Sequence, residues 1–119
     1  MKRNRSYLYR DYLRDILENL KAAEEFTRGL EFDGFAANKQ VQYAVVRALE
    51  IVGEAAKNVP FEVRRRYPQV PWKDMAAMRD HLIHGYRGVD LQLVWDAATA
   101  DAPKYRPLIE AVIRQEGFG

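Results

Sequence analysis

The segment NKQVQYAVVRALEIVGEAAKNVP, residues 38–60, carries the most regular apolar pattern in the chain. Val41, Val45, Ala48, Leu49, Val52, Ala55 and Ala56 recur at spacings of three and four, the signature of one helix face. Asn38 is a good N-cap and Pro60 a stop, so the pattern predicts a helix bounded by them. Arg47, Glu50, Glu54 and Lys57 make a polar stripe on the same helix, and such stripes ordinarily face solvent.

Working outward, the pattern stays helical. Leu13, Ile16, Leu17, Leu20, Ala22 and Ala23 predict an amphipathic helix between Tyr7 and Arg28, ended by Gly29. Glu31-Phe32-Asp33-Gly34-Phe35 reads as a turn-like connector with two aromatic anchors. After Pro60 comes a short basic helical turn, Phe61 to Tyr67, and Pro71-Trp72 marks the start of a further helix with Met75, Met78, Leu82 and Ile83 on its apolar side, ending at Gly85. The last segment starts near Asp90 and is expected to break and restart at Pro103 with Asp101 as cap. No alternating run, hairpin signal or internal repeat appears. The fold class expected is all-α, a bundle of about four or five helices in one domain over 1–119, frayed at 1–6 and 117–119.

Composition narrows the function. The chain has 119 residues, 48% hydrophobic and 30% charged, enough to bury one core without a disulfide or metal staple. It contains no cysteine, so thiolate zinc sites and cysteine nucleophiles are excluded and a reducing cytoplasm is the expected location. No apolar run reaches the roughly 18 residues of a membrane span, and the basic start lacks a signal-peptide core. A net charge of +2 does not announce a nucleic-acid binder, so local clusters must decide; Arg64-Arg65-Arg66 is the densest, and reads either as a solvated helix end or as a phosphate contact. Dinucleotide, P-loop and G-x-S-x-G motifs are all missing.

The chemistry concentrates in Arg79-Asp80-His81-Leu82-Ile83-His84-Gly85-Tyr86-Arg87. His81 and His84, one turn apart, would suit a metal only with a third ligand the segment does not clearly offer. Arg79 and His84 lie five positions and about 140° apart on an ideal helix, flanking rather than stacked. An always-charged guanidinium beside a proton-transferring imidazole is what phosphodiester cleavage requires.

Arg79-x4-His84-x-Tyr86 resembles the R-x4-H-x-Y motif of HEPN-domain ribonuclease toxins in the HepT-like branch. Leu49 to Asn58, Tyr67-Pro68-x-x-Pro71-Trp72, Gly88-Val89-Asp90 and Val94-Trp95-Asp96 extend the likeness in the same order, from about Tyr7 to about Ile113. The resemblance implies a HEPN-like helical domain acting as the toxin of a type II toxin–antitoxin pair. Two protomers would face their motifs across a cleft, a homodimer cutting RNA without a metal or other cofactor, and a minimal nucleotidyltransferase antitoxin would silence the toxin by transferring AMP to Tyr86.

On that reading Arg79 and His84 are catalytic and Asp80 orients the motif. The last-turn position of His84 favours its protonated form through the helix dipole. Arg64, Arg65, Arg66 and Arg87 become candidate RNA contacts, and AMP on Tyr86 would occupy Arg79 and block RNA entry. Glu50 and Glu54 would either line the cleft or bind basic residues of the antitoxin, with a solvated or dimer-facing stripe as the plain alternative. The alternative expectations are a non-catalytic HEPN scaffold that binds a nucleotide or a partner, and a metal-dependent hydrolase using His81 and His84.

Overall fold

The computed structural model describes residues 8–84 and 90–118, with the side chains of His81, Ile83 and His84 outside that description. Among the described residues all regular structure is helical: α1 (Tyr9–Thr27), α2 (Phe32–Ala36), α3 (Lys39–Asn58), α4 (Phe61–Arg66), α5 (Trp72–His84), α6 (Leu91–Asp96) and α7 (Ala102–Gln115). The four long helices α1, α3, α5 and α7 form the bundle, as the periodicity predicts, and the short ones occupy the connections.

The boundaries follow from local chemistry. The Asn38 side chain accepts a hydrogen bond from the Val41 N–H at 3.1 Å, which caps α3. Asp90 does the same for α6 through the Leu93 N–H at 3.1 Å. Gly29, after α1, sits at φ +79°, a conformation that excludes most other residues. Gly85, expected to end α5, lies outside the described residues.

Two expectations are corrected. The Glu31–Phe35 connector is the helix α2, whose final carbonyls at Phe35 and Ala36 are both capped by the Gln42 side-chain amide at 3.0 Å. Its aromatic anchors are as expected: Phe35 is wholly buried and meets Trp95 at a centroid distance of 5.3 Å, while Phe32 meets the same ring edge-on at 6.2 Å. The restart at Pro103 is also not a break. A π-helical turn, Ala97–Asp101, joins α6 to α7 without interruption, and Asp101 makes no capping hydrogen bond. Pro103 has no N–H to return to the preceding turn, so the helix widens there and continues, because proline φ is already helical.

Helix α3 is the centre of the bundle, packed on α1 along one side and on α5 along the other, with α7 completing the layer against α1. Its buried face is built from Val45, Ala48, Leu49, Val52, Gly53, Ala55 and Ala56, and meets Leu13, Ile16 and Leu20 of α1 in one hydrophobic core. The many small residues on this face permit close helix approach, which matters for the site.

A second interaction ties the ends of the chain together. Glu116, whose side chain is only 9% exposed, accepts hydrogen bonds from the hydroxyls of Tyr9, at 2.6 Å, and Tyr67, and is held by Arg66 at 3.0 Å. Within the 117–119 tail, the Phe118 ring packs on Tyr9 at 5.4 Å and its carbonyl accepts from Arg14 at 2.9 Å. The hydrogen bonds from Tyr67 and Tyr9, with the Arg66 guanidinium behind them, hold the Glu116 carboxyl below its ordinary value. Both tyrosine hydroxyls are pushed up, first by that same hydrogen bond. A carboxyl depressed in the folded state stabilises fully above its unfolded value of about 4.3, and that contribution is lost as pH falls through the folded value. Glu116→Gln should therefore lower stability by about 2 kcal/mol near neutral pH, as for hydrogen bonds to a charged group. In urea denaturation repeated at lower pH, the gap from the unsubstituted protein should close below about pH 4; a gap that stays constant would show that the charge is not what Glu116 contributes.

Candidate active site

The position of Arg79 is set by what α3 lacks. A Cβ placed on Gly53 would fall 2.5 Å from the Arg79 Cβ and 2.7 Å from its backbone nitrogen, closer than atoms can approach. The two helices thus touch backbone to backbone at this crossing, and the Arg79 side chain emerges directly over α3. There its Nε forms an ion pair with Glu54 Oε1 at 2.7 Å, while Nη1 lies 3.5 Å from Asp80 Oδ1. Lys57 stands 3.9 Å from the same Asp80 oxygen. Arg79 is 33% exposed against 57% for Glu54, so the guanidinium is the better enclosed member of the pair.

These groups open into a groove of about 450 Å³ between α1, α3 and α5, lined by Tyr12, Asp15, Arg47, Glu50, Glu54 and Arg79 among others. Arg47 and Glu50 pair at 3.5 Å across its outer wall. Exposed pairs of this kind are weak, at about 0–1 kcal/mol each, so an anionic phosphate group arriving at Arg79 can take the place of Glu54. The groove can thus hold and orient an anionic oxygen by charge-assisted hydrogen bonds.

The remaining sequence-predicted residues divide. His84 is the last residue of α5, about 7.5 Å along the axis from Arg79 by helical rise; Tyr86 and Arg87 lie outside the described residues. Of the arginine triplet, Arg66 is engaged by Glu116, Arg65 pairs at 2.6 Å with the exposed Glu62, and Arg64 donates from Nε to the Val59 carbonyl at 3.0 Å. The triplet therefore divides, with Arg66 taken up by Glu116 and Arg64 and Arg65 lining a separate groove with Lys73.

The model of the family described as "Ribonuclease HepT-like" matches residues 16–112. The chain belongs to the HepT-like ribonuclease family. Among its relatives is "Probable ribonuclease HepT" of Thermococcus cleftensis, 47% identical over 102 residues, which is 86% of this chain and 93% of that protein. A protein of Methanocaldococcus jannaschii named "Putative RNase" is 46% identical over 105 residues, covering 88% and 87% of the two chains. Another from that organism, named "Gamma-glutamylcyclotransferase and putative RNase", is 44% identical over 104 residues, but these make up only 47% of its length. No solved structure matches.

Gly53 and Lys57 are what residue reading missed. Of the stripe Arg47, Glu50, Glu54, Lys57, the first three line the groove with Arg79, Glu54 pairs with that arginine, and Lys57 stands beside Asp80. The available signal was Gly53 itself, an isolated glycine inside a strongly periodic helix, which usually marks a packing constraint. For Gly53→Ala, helix propensity alone forecasts a gain of about 1 kcal/mol. The clash with Arg79 forecasts the reverse, a loss of about 1–3 kcal/mol from overpacking. Thermal denaturation should show the loss, and RNA cleavage should fall with it as Arg79 is displaced; a stabilised Gly53→Ala protein would mean that the helices have room to spare.

Proposed function

We propose that this HepT-like ribonuclease is the toxin of a type II toxin–antitoxin pair and cleaves RNA without a metal, through Arg79 and His84. The observation that carries the reading is the placement of Arg79: the residue heading the R-x4-H run is fixed by backbone contact with Gly53 and presented at a groove by Glu54. Asp80, 3.5 Å from Arg79 and bridged to Lys57, supports the motif rather than reacting.

In-line attack by a ribose 2′-hydroxyl needs a base for that hydroxyl and an acid for the leaving oxygen. One chain supplies one motif histidine, so the reaction calls for a homodimer with the two motifs facing, each His84 taking one role. Arg79 then balances the charge that gathers on the phosphorus oxygens. A minimal nucleotidyltransferase antitoxin silences the enzyme by transferring AMP to Tyr86, whose phosphate competes for Arg79. The setting is the cytoplasm, and among the described residues no helix is long and apolar enough to cross a membrane.

Incubation of purified protein with total RNA in EDTA, resolved on a gel, tests this. The unsubstituted protein should cleave, while Arg79→Ala and His84→Ala should each lose about 10²–10⁴-fold in rate with the fold intact. Tyr86→Phe should keep cleaving and should escape silencing by the antitoxin and ATP. Undiminished cleavage by His84→Ala would refute the catalytic assignment; an inactive, unmodified dimer would point to a binding scaffold, and activity abolished by the chelator to a metal-dependent hydrolase.

A further inference from the structure

On the far side of α4, away from the Glu116 clasp, the chain presents an aromatic ring to solvent. Phe61, the first residue of α4, is 65% exposed, whereas Val63 two positions on is buried. Single exposed apolar residues need no explanation, and Leu8, Phe26, Tyr43 and Leu93 are exposed as well. Phe61 differs in its setting. The Arg64 guanidinium lies 6.0 Å from its ring centroid, the one cation–π contact among the described residues. Ring and guanidinium together form one wall of an open groove of about 500 Å³, which continues past Arg65 to Pro71, Trp72 and Lys73 at the start of α5.

The electrostatics of this groove favour a polyanion. Arg64, Arg65 and Lys73 line it against a single carboxylate, Asp74. Arg64 is held in place from its Nε by the Val59 carbonyl, a bond that does not engage its terminal nitrogens. The Arg65 pair with Glu62 is exposed on both sides, at 62% and 70%, and is the kind that a phosphate displaces readily. Exposed aromatic surface beside a short track of cations is how proteins hold single-stranded nucleic acid, stacking a base on the ring and pairing the backbone with the charges. A paired base cannot stack in this way, because its faces are already covered within the duplex.

We propose that the Phe61–Lys73 groove is a binding subsite for single-stranded RNA, in which one base stacks on Phe61 while neighbouring phosphates contact Arg64, Arg65 and Lys73. The inference rests on the ribonuclease reading and adds to it the strand type and the place where RNA is gripped outside the Arg79 groove. Phe61 and Lys73 bind and do not react; removing them weakens capture and leaves the chemical step intact.

Fluorescence polarisation of labelled decauridylate on the His84→Ala protein, in which cleavage is blocked, measures the grip directly. Adding Phe61→Ala should weaken binding about tenfold, within the range for one stacked base, and Phe61→Tyr should restore it. Arg65→Gln with Lys73→Gln should flatten the salt dependence by about 0.7 for each phosphate that is no longer neutralised. A duplex of equal length should bind with no dependence on Phe61. In the active protein, Phe61→Ala should raise KM with kcat unchanged. Unaltered decauridylate binding by Phe61→Ala would overturn the subsite while the Arg79–His84 reading stands. If the His84→Ala protein bound neither strand, the subsite and the ribonuclease reading would fall together. A kcat loss in Phe61→Ala at unchanged KM would also overturn the proposal, by giving the ring a structural role.

Discussion

The approach of α5 onto α3 at Gly53 is the constraint on which the site depends. With 2.5 Å between a hypothetical Gly53 Cβ and that of Arg79, the helices pack as closely as backbones permit. At this distance the crossing fixes the Arg79 Cα and Cβ, and what freedom remains lies in the side chain beyond them. Glu54, the next residue on α3, biases that freedom by pairing with Nε at 2.7 Å. Catalytic groups that must meet developing charge work best when little reorganisation remains at the moment of reaction. One helix crossing thus fixes the direction of the arginine, and the small-residue face of α3 makes the crossing possible.

Most of the architecture could be read from residue order because the helices are amphipathic and their ends carry ordinary punctuation. Asn38, Gly29, Pro60 and Asp90 act through short-range hydrogen bonds or backbone geometry, which a sequence displays directly. The failures have another origin. The π turn at Ala97–Asp101 arises because Leu91–Gln115 keeps one continuous buried face, with Val94, Ala98, Ala102 and Ile109 all in the core, and widening the helix preserves that face where a break would lose it. The role of Glu116 does not show in sequence because its partners, Tyr9, Arg66 and Tyr67, are distant along the chain. The resemblance points to Arg79, His84 and Tyr86 as motif positions and leaves Glu54 with several readings, since nothing in the spacing of a polar stripe shows which helix will pack against it.

The charges around the two grooves suggest a division of labour. The Arg79 groove has Arg47 and Arg79 against Asp15, Glu50 and Glu54 among its lining residues, two cations to three carboxylates. An assembly of identical subunits would multiply that ratio without improving it. A site of this composition orients an anion once it has arrived but does little to attract one, because the long-range field of RNA phosphates responds to the local excess of charge. The Phe61 groove, with three cations to one carboxylate, has the excess that the other lacks.

On the proposed function, in which Arg79 binds the scissile phosphate, that asymmetry also accounts for the carboxylates beside it. An arginine exposed without a partner would bind any passing polyanion, and in a ribonuclease such capture is unproductive unless the scissile phosphate is the one held. Glu54 and Asp80 set a threshold: an incoming phosphate must offer a better geometry than two weak, partly solvated pairs before Arg79 changes partner. A strand already held by stacking and backbone contacts elsewhere on the surface can meet that threshold, because its local concentration at the groove is high. On this argument, weak carboxylate pairing at Arg79 and a separate grip on the strand are complementary requirements, and α5 joins them physically, with Lys73 in its first turn and Arg79 about 9 Å further along its axis.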